Sequence, residues 1–268
     1  MNAVDKERAI HGLVKTAVQS YANGFEVRHL AQVDDPSGTI NMKVHNPFIA
    51  ALGPEVQYYS ALVRSLDSSL GDMLEGMAIA IAELSFTVRH EVSGHLTARQ
   101  TGEIATLLEQ YKRREKRPRI ADYAQLAADG HEVERQVRHD SDYYLQDEET
   151  GAHHLIELKI GGDLDNKKAR SEKEALLEQY AILCNALGSK ENVFLHFATA
   201  YNRFGEEQPW SQGRVLQYFA PQELLIGRDF WNFVCKSESG YAVVLDEYKA
   251  QAPLIIHALD TVKAAYLR

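Results

Sequence analysis

Residues 139–160 read HDSDYYLQDEETGAHHLIELKI and contain the clearest structural pattern of the chain. Two short apolar runs flank an acidic turn at 147–151, which ends in glycine. Apolar runs of this length joined by a glycine-containing turn predict a β-hairpin. Two further glycines and an amphipathic pattern from about Leu164 follow, so we expect the hairpin to lead into a long helix.

Three charged side chains stand out within this predicted hairpin. Asp142 lies near the start of the first strand, and Glu157 and Lys159 lie in the second. Side chains two residues apart in a strand point to the same face, so Glu157 and Lys159 share one face of the sheet. Asp142 and Glu157 are about equally far from the centre of the turn, so the hairpin is predicted to bring them opposite each other.

Two carboxylates and one ammonium on a single face suit phosphodiester hydrolysis. Carboxylate oxygens are the ligands that Mg²⁺ prefers, and a bound metal lowers the pKa of a water molecule while an ammonium balances developing charge. A solvated hairpin with a charged outer face is the usual explanation of a bare Glu-x-Lys. The apolar neighbours of Glu157 and the aspartate at the matching place favour a catalytic site instead.

This arrangement resembles the PD-(D/E)XK nuclease superfamily. Ser141-Asp142 and Glu157-Leu158-Lys159 match its motif, with serine in place of the proline. The longer segment IELKIGGDLDNKKA, residues 156–169, is similar to the TdeIII-type restriction endonucleases. Similarity to that group covers most of the chain.

The resemblance implies an α/β fold of the restriction-endonuclease-like kind. We expect a mixed central β-sheet of about five strands flanked by α-helices. Because the sequence shows no repeat and no low-complexity linker, residues 1–268 are predicted to form a single nuclease domain. Its N-terminal part, about 1–130, is predicted to be helical, and its catalytic sheet core to span about 139–234.

Local patterns predict four further features. Thr97 and Gln100 fit a capping box at the start of a helix. The helix after Gly162 is predicted to end near Gly188. Residues 215–219 are predicted to form a short strand and residues 224–234 a helix.

The resemblance also assigns roles to individual residues. Asp142, Glu157 and the backbone carbonyl of Leu158 would bind Mg²⁺, and Lys159 would orient or deprotonate the attacking water. In an N-terminal helix, Glu75 is similarly placed to a glutamate that points at the metal site in many restriction endonucleases. A solvated helix glutamate explains Glu75 equally well.

Two further segments are candidates for contact with DNA. Cations at the start of the helix after Gly162 oppose the helix dipole, and phosphate binding beside the active site explains them, as does a solvated turn. A polar, aromatic loop follows a predicted strand at 192–201, and arginine, asparagine and glutamine are the side chains that read base edges. A surface loop with a packed tryptophan explains this segment equally well. The candidates are Asn166, Lys167, Lys168 and Arg170 in the helix and Asn202, Arg203, Trp210, Gln212 and Arg214 in the loop.

The activity implied by the resemblance is type II restriction cleavage of double-stranded DNA. The TdeIII-type group implies a short site of the GGNCC kind, and a palindrome implies a two-fold homodimer. A cognate DNA methyltransferase is expected in the same system, but not as a stable subunit. The alternatives are a repair or junction-resolving nuclease of the same superfamily and a DNA-binding protein without catalytic activity.

Composition sets wider bounds on the class of protein. Apolar residues make up 45% of the 268 residues and charged residues 25%, as in ordinary globular proteins. The net charge of −9 argues against a non-specific nucleic-acid binder but not against a local basic cleft. Two cysteines exclude a disulfide framework, and the sequence shows neither a signal peptide nor a membrane-spanning run, so we expect a cytoplasmic protein without membrane contact. Its one dense basic run, at 112–119, suits either a solvated helix end or phosphate contact.

Overall fold

The computed structural model describes residues 2–126, 134–161 and 164–267. Within these ranges, seven side chains lie outside the description: Glu134, Arg135, Arg138, His139, Asp140, Asp142 and Asn166. The chain divides into two compact units. We call Met1–Ala80 with Ala242–Arg268 the helical unit and Ile81–Tyr241 the sheet unit.

The secondary structure alternates helices and strands only in the sheet unit. The helices are α1 (Ala3–Leu30), α2 (Pro47–Ala50), α3 (Pro54–Ala82), α4 (Ala98–Lys112), α5 (Asn166–Leu187), α6 (Gly213–Leu216), α7 (Arg228–Cys235) and α8 (Gly240–Tyr266). The strands are β1 (Phe86–Thr97), β2 (Glu134–Asp147), β3 (His153–Leu158), β4 (Val193–Thr199) and β5 (Leu224–Ile226). Short 3₁₀ helices occupy Asn41–His45, Ile120–Leu126 and Pro221–Glu223.

The helical unit packs α1, the first part of α3 and the last part of α8 around a small apolar core. That core includes Phe25, Tyr58, Leu62 and Val262. His29, near the end of α1, is buried and its Nε2 lies 3.0 Å from the Ser65 hydroxyl on α3. These contacts fix the end of α1 beside the middle of α3.

The sheet unit contains a five-stranded mixed sheet in the order β1-β2-β3-β4-β5 among the residues described. β1, β2 and β3 pair antiparallel, whereas β3, β4 and β5 pair parallel. The predicted α/β fold with a mixed sheet of about five strands and flanking helices is therefore confirmed. The crossover from β3 to β4 is α5, which supplies the long connection that parallel pairing requires.

The predicted hairpin is formed by β2 and β3. Its turn is fixed by the carboxylate of Asp147, which accepts hydrogen bonds from the backbone N–H groups of Glu149 and Thr150 at 2.8 and 3.2 Å. Gly151 has φ +71°, a conformation that glycine adopts without steric cost. The acidic composition of this segment therefore has a structural cause, because an aspartate that caps its own turn stabilises the hairpin.

Apolar side chains cover both faces of the central strand β3. On one face, Leu155 joins a core with Tyr144, Leu177, Ile182 and Phe197 under α4 and α5. On the other face, His154 lies in contact with aromatic rings of the sheet unit. Those rings are Phe86, Phe194 and Phe233, at centroid distances of 6.3, 5.2 and 4.9 Å.

A histidine pair lies on this second face. His154 Nδ1 is 3.0 Å from His196 Nε2 on β4. Burial lowers the pKa of His154 to about 4 and that of His196 to about 3. Both imidazoles are therefore neutral at pH 7.

Several predictions of local structure need correction. Residues 86–97, within the part predicted to be helical, form β1, whose antiparallel partner β2 is about fifty residues away in sequence. Residues 215–219, predicted as a strand, begin in the helical turn α6, and the predicted helix at 224–234 is β5 followed by α7. Short apolar runs do not distinguish a buried strand from a buried helix, and long-range pairing decides between them.

Two predictions of helix ends are confirmed. Thr97 and Gln100 form the predicted capping box at the start of α4, and α5 ends before Gly188, which has φ +64°. Cys184 and Cys235 are buried free thiols. In the part of the chain that is described, every helix is too short or too polar to cross a lipid bilayer.

Candidate active site

Glu157 and Lys159 lie together at the end of β3. The backbone N–H of Lys159 donates to the carbonyl of Ala198 at 2.9 Å, so the extended pairing with β4 continues past the last residue of the strand. The Lys159 ammonium forms an ion pair with the Glu157 carboxylate. Their side chains are 34% and 11% exposed, so the carboxylate is mostly buried and the ammonium reaches solvent. The predicted shared face is confirmed.

A second carboxylate, which sequence analysis missed, lies on the other side of this ammonium. Glu172 Oε1 on α5 is 3.4 Å from Lys159 Nζ, and its side chain is 25% exposed. Glu172 belongs to the second turn of α5, which begins only seven residues after Lys159. The sequence does show polar residues in the first turns of the crossover helix. Because there are several of them, the sequence alone does not identify Glu172 as the one that reaches Lys159.

The hairpin register bears on the position of Asp142. β2 and β3 pair Gln146 with His153 beside the turn and Tyr143 with Ile156 at the far end of the ladder. The same register, continued by one residue, pairs the backbone of Asp142 with that of Glu157. The Asp142 side chain lies outside the description, so its part in the site stays a prediction.

The metal-binding capacity of the site rests on this aspartate. Among the side chains described, no three histidine, cysteine, aspartate or glutamate residues form a cluster that could hold a metal ion. Glu157 and Glu172 provide two carboxylates around Lys159, and the register adds the backbone position of a third acid. Carboxylate oxygens in this number suit Mg²⁺, which keeps several waters and takes few protein ligands.

A buried ion pair anchors α5 directly beside Glu172. Lys173 Nζ donates to Glu223 Oε1 at 2.5 Å, and the two side chains are 0% and 1% exposed. Glu223 also accepts hydrogen bonds from the Tyr123 hydroxyl at 2.7 Å and the backbone N–H of Ala220 at 2.6 Å. Burial lowers the pKa of Lys173, while Glu223 opposes that shift. This network fixes the helical turn that carries Glu172.

The start of α5 presents the predicted phosphate-binding cations. Asp165 caps the helix by accepting a hydrogen bond from the backbone N–H of Lys168 at 2.8 Å, which lowers the pKa of its carboxyl group. Lys167 and Lys168 are exposed, and Arg170 is half-buried with no hydrogen-bond partner for its Nε among the described residues. The cap supplies the negative charge that offsets these cations at the helix N-terminus. The side chain of Asn166 lies outside the description.

Several polar groups of the loop at 202–214 form hydrogen bonds within the loop itself. Asn202 is buried; its amide donates to the Gln208 carbonyl at 2.7 Å and its side-chain oxygen accepts from the Phe204 N–H at 3.0 Å. Trp210 packs edge-to-face on Phe204, at a centroid distance of 5.6 Å, and against the main core. Base reading by Asn202 would require these bonds to break.

The remaining loop candidates are more accessible. Gln212 caps α6 by accepting from the backbone N–H of Arg214 at 2.9 Å. The Arg214 guanidinium donates to the Leu164 carbonyl at 3.4 Å, so it lies beside the start of α5. Arg203 is exposed. Of the loop candidates, Arg203 and Arg214 are the best placed for a DNA contact.

Glu75 lies on the portion of α3 that belongs to the helical unit, whereas Glu157, Lys159 and Glu172 belong to the sheet unit. It is half-buried. Its approach to the metal site stays a prediction.

The basic run at 112–119 is largely paired within the chain. The pairs are Lys112 and Arg113 with Glu109, and Lys116 and Arg119 with Asp122, with N–O distances between 2.9 and 3.5 Å. Four of its cations therefore have acidic partners, which favours a solvated helix end over a dedicated phosphate site.

Comparison with protein families decides the class of enzyme. A family model described as type II restriction endonuclease, HinfI, matches residues 9–251, which is most of the chain. The chain belongs to the HinfI family.

Membership of the HinfI family confirms the prediction of a type II restriction endonuclease, a site-specific deoxyribonuclease that binds double-stranded DNA. The matching model is that of HinfI, whereas the motif at 156–169 resembles the TdeIII-type group. No match was found among curated proteins or among solved structures.

Proposed function

We propose that this HinfI-family endonuclease cuts both strands of DNA at a short palindrome, with Mg²⁺ held by Asp142, Glu157 and the carbonyl of Leu158. The observation that carries the proposal is the cluster at the end of β3. A partly exposed lysine lies between two carboxylates there, and the hairpin register brings the backbone of Asp142 to the same place.

The chemistry divides between the metal and the chain. When bound, Mg²⁺ would act as a Lewis acid that lowers the pKa of a water molecule and polarises the scissile phosphate. Glu157 positions the Lys159 amine, because the ion pair restricts the rotamers of a long side chain at an otherwise apolar strand end. Lys159 then either orients the attacking water as an ammonium or, as a neutral amine, takes the proton of that water. In both cases the resulting ammonium balances charge that develops on the phosphate.

In this proposal, Glu172 helps to position Lys159. Its carboxylate holds the Lys159 ammonium from the helix side, so the amine is fixed between β3 and α5. The buried Lys173–Glu223 pair keeps that turn of α5 in place. The products would carry 5′-phosphate and 3′-hydroxyl ends, since water attacks phosphorus and the 3′ oxygen leaves.

The proposal extends to assembly and DNA contact. A palindrome is read by a homodimer whose two-fold axis coincides with that of the DNA. Lys167, Lys168 and Arg170 would contact backbone phosphates, and the accessible arginines of the loop at 202–214 would approach the bases. We further propose that both units act as one nuclease domain, because the family match includes residues of each. A cytoplasmic location and a separate cognate methyltransferase belong to the same proposal.

Incubation of the purified protein with phage DNA and Mg²⁺, followed by sequencing of the cut ends, tests this function. Discrete fragments with one shared end sequence are expected, and those ends decide whether the site is of the GGNCC kind implied by the TdeIII-type resemblance. Glu157→Gln should abolish cutting while DNA binding persists. Cutting at branched structures alone would favour a junction-resolving nuclease, and undiminished cutting by Glu157→Gln would remove the catalytic assignment.

A further inference from the structure

The helical unit contains an open cavity of about 630 Å³ between the end of α1, residues 39–46 and the middle of α3. We call it the α1–α3 cleft. Three cations line it: Arg28 from the last turn of α1, Lys43 from the 3₁₀ helix and Arg64 from α3. Four hydroxyl side chains, among them Ser65 and Ser68, also line it, and Asp72 is the single acid of the lining.

The charge of the cleft differs from that of its surroundings. Residues 1–80 contain six lysines and arginines against nine aspartates and glutamates. Half of those cations line the cleft, where they outnumber the acid three to one. Since the whole chain carries a net charge of −9, concentrating cations at one place creates a local positive field that the composition alone conceals.

These cations have no acidic partner in the parts of the chain that are described. None of Arg28, Lys43 and Arg64 forms an ion pair there; Arg28 instead lies over the Phe25 ring, 5.8 Å from its centroid. The contrast with the basic run at 112–119 is direct, because four cations of that run are paired with Glu109 or Asp122. Cations without an acidic partner remain available to an anion from outside the chain.

Hydrogen bonds hold the walls of the cleft in place. The amide of Asn41 donates to the carbonyls of Gln32 and Val33 at 2.9 and 3.0 Å, which ties the 3₁₀ helix to the turn that follows α1. His29 contacts Ser65 at 3.0 Å and ties α1 to α3. The three cations therefore come from elements whose relative positions are fixed before any ligand binds, which lowers the entropic cost of binding.

We propose that the α1–α3 cleft binds the phosphodiester backbone of duplex DNA through Arg28, Lys43 and Arg64. The proposal rests on the DNA cleavage proposed above and adds a contact surface that sequence analysis did not identify. Guanidinium, ammonium and hydroxyl groups all donate hydrogen bonds that phosphate oxygens accept. Such contacts supply affinity that depends on salt and not on base sequence.

The test compares DNA binding by the full-length enzyme and three double variants. Arg28→Gln with Arg64→Gln removes two cleft charges, and Arg28→Lys with Arg64→Lys retains them. Lys15→Gln with Lys249→Gln removes two exposed charges of the helical unit outside the cleft lining. Binding is measured without added metal on two labelled duplexes, one with and one without the sequence that the wild type cuts, across a range of KCl concentrations.

The glutamine cleft variant should lower the slope of log affinity against log salt by about 0.9 for each phosphate that is no longer neutralised, and so by about 1.8 in the double variant. Both duplexes should lose affinity equally, and the lysine variant and the Lys15–Lys249 control should match the wild type. A wild-type slope in the cleft variant, or a loss confined to the duplex with the cut sequence, would overturn the proposal. Thermal unfolding of each variant checks that the protein is folded.

Titration with inorganic phosphate separates DNA from a small anion as the ligand. Micromolar phosphate binding that Arg28→Gln with Arg64→Gln abolishes, together with an unchanged DNA slope, would overturn the DNA assignment. Failure of the proposed function looks different. In that case the wild type itself makes no Mg²⁺-dependent cut, whatever the salt slopes of the variants.

Discussion

Two lysine–glutamate clusters meet at adjacent residues of α5 and differ in their access to water. Glu172 faces Lys159, whose side chain is 34% exposed and which also pairs with Glu157. Lys173, the next residue, pairs with Glu223, and both side chains are buried. Aromatic rings of Tyr123 and Phe219 enclose the Lys173 ammonium, each with its centroid 4.7 Å away.

The difference separates an ion pair that holds the fold from one that is suited to chemistry. Glu223 receives three hydrogen bonds and is shielded from solvent, so substrate cannot reach it. The Lys159 cluster is open on one side, and its excess of carboxylate over ammonium suits an added cation. A lysine–glutamate contact therefore indicates catalysis only together with exposure and surplus charge.

The largest effect is expected from removing the exposed lysine. Lys159→Ala should lower the single-turnover rate of plasmid cleavage by about 10³-fold, as expected for loss of a group that both handles a proton and balances charge. The free energy of unfolding should fall by less than on removal of the buried Lys173, because solvent reaches the side chains of Lys159 and Glu172. Cleavage at the wild-type rate would show that this cluster is structural like its neighbour.

The buried lysine should give the converse result. Lys173→Ala should lower the free energy of unfolding by about 3–5 kcal/mol, because it leaves the Glu223 carboxylate buried without a cation. Urea unfolding measures this loss. The double variant Lys173→Met with Glu223→Gln should recover part of it, since no charge is then left buried. Equal destabilisation in the single and double variants would contradict the ion-pair explanation.

The buried histidine pair predicts how stability depends on pH. Burial depresses the pKa of His154 to about 4 and of His196 to about 3, while an unfolded histidine titrates near 6.5. The unfolded chain therefore binds protons first as the pH falls, so stability is full above about pH 6.5 and declines below it, levelling off below the folded values. Between pH 7 and 5 the two histidines together should lower the free energy of unfolding by about 4 kcal/mol.

Thermal unfolding measured between pH 7 and 5 reports this loss of stability. Most carboxyl groups do not titrate in that interval. His154→Gln with His196→Gln should flatten the dependence in that interval. An unchanged slope in the double variant would assign the pH dependence to other groups of the chain.

The smallest effect is expected from the helix carboxylate. Glu172→Gln should lower the cleavage rate about tenfold, because Lys159 keeps its contact with Glu157 but loses the second carboxylate that fixes its amine. Glu174→Gln, a half-buried neighbour on α5, is the matched control and should cleave as the wild type does. Equal rates in both variants would remove Glu172 from the site and leave only Glu157 beside Lys159.

Much of the sheet unit was predictable because its signals are local. Alternation in residues 153–159 placed Glu157 and Lys159 on one face, and the turn at 147–151 defined the hairpin. β1 was missed because its partner strand is distant in sequence and its polar composition hides the pattern. The strand predicted at 215–219 was wrong, and the helix predicted at 224–234 begins only at Arg228, because Leu224–Ile226 pair with the distant strand β4.

Strand alternation, turn chemistry and a motif can be recognised within a few residues, so they predict the hairpin, the crossover helix and the class of enzyme without coordinates. Which charged side chains meet depends on how distant elements pack against one another. Glu172 reaches Lys159, Lys173 is buried on Glu223, and Arg28, Lys43 and Arg64 line one cleft. Each of these contacts joins different elements, so its geometry depends on packing that no local pattern encodes.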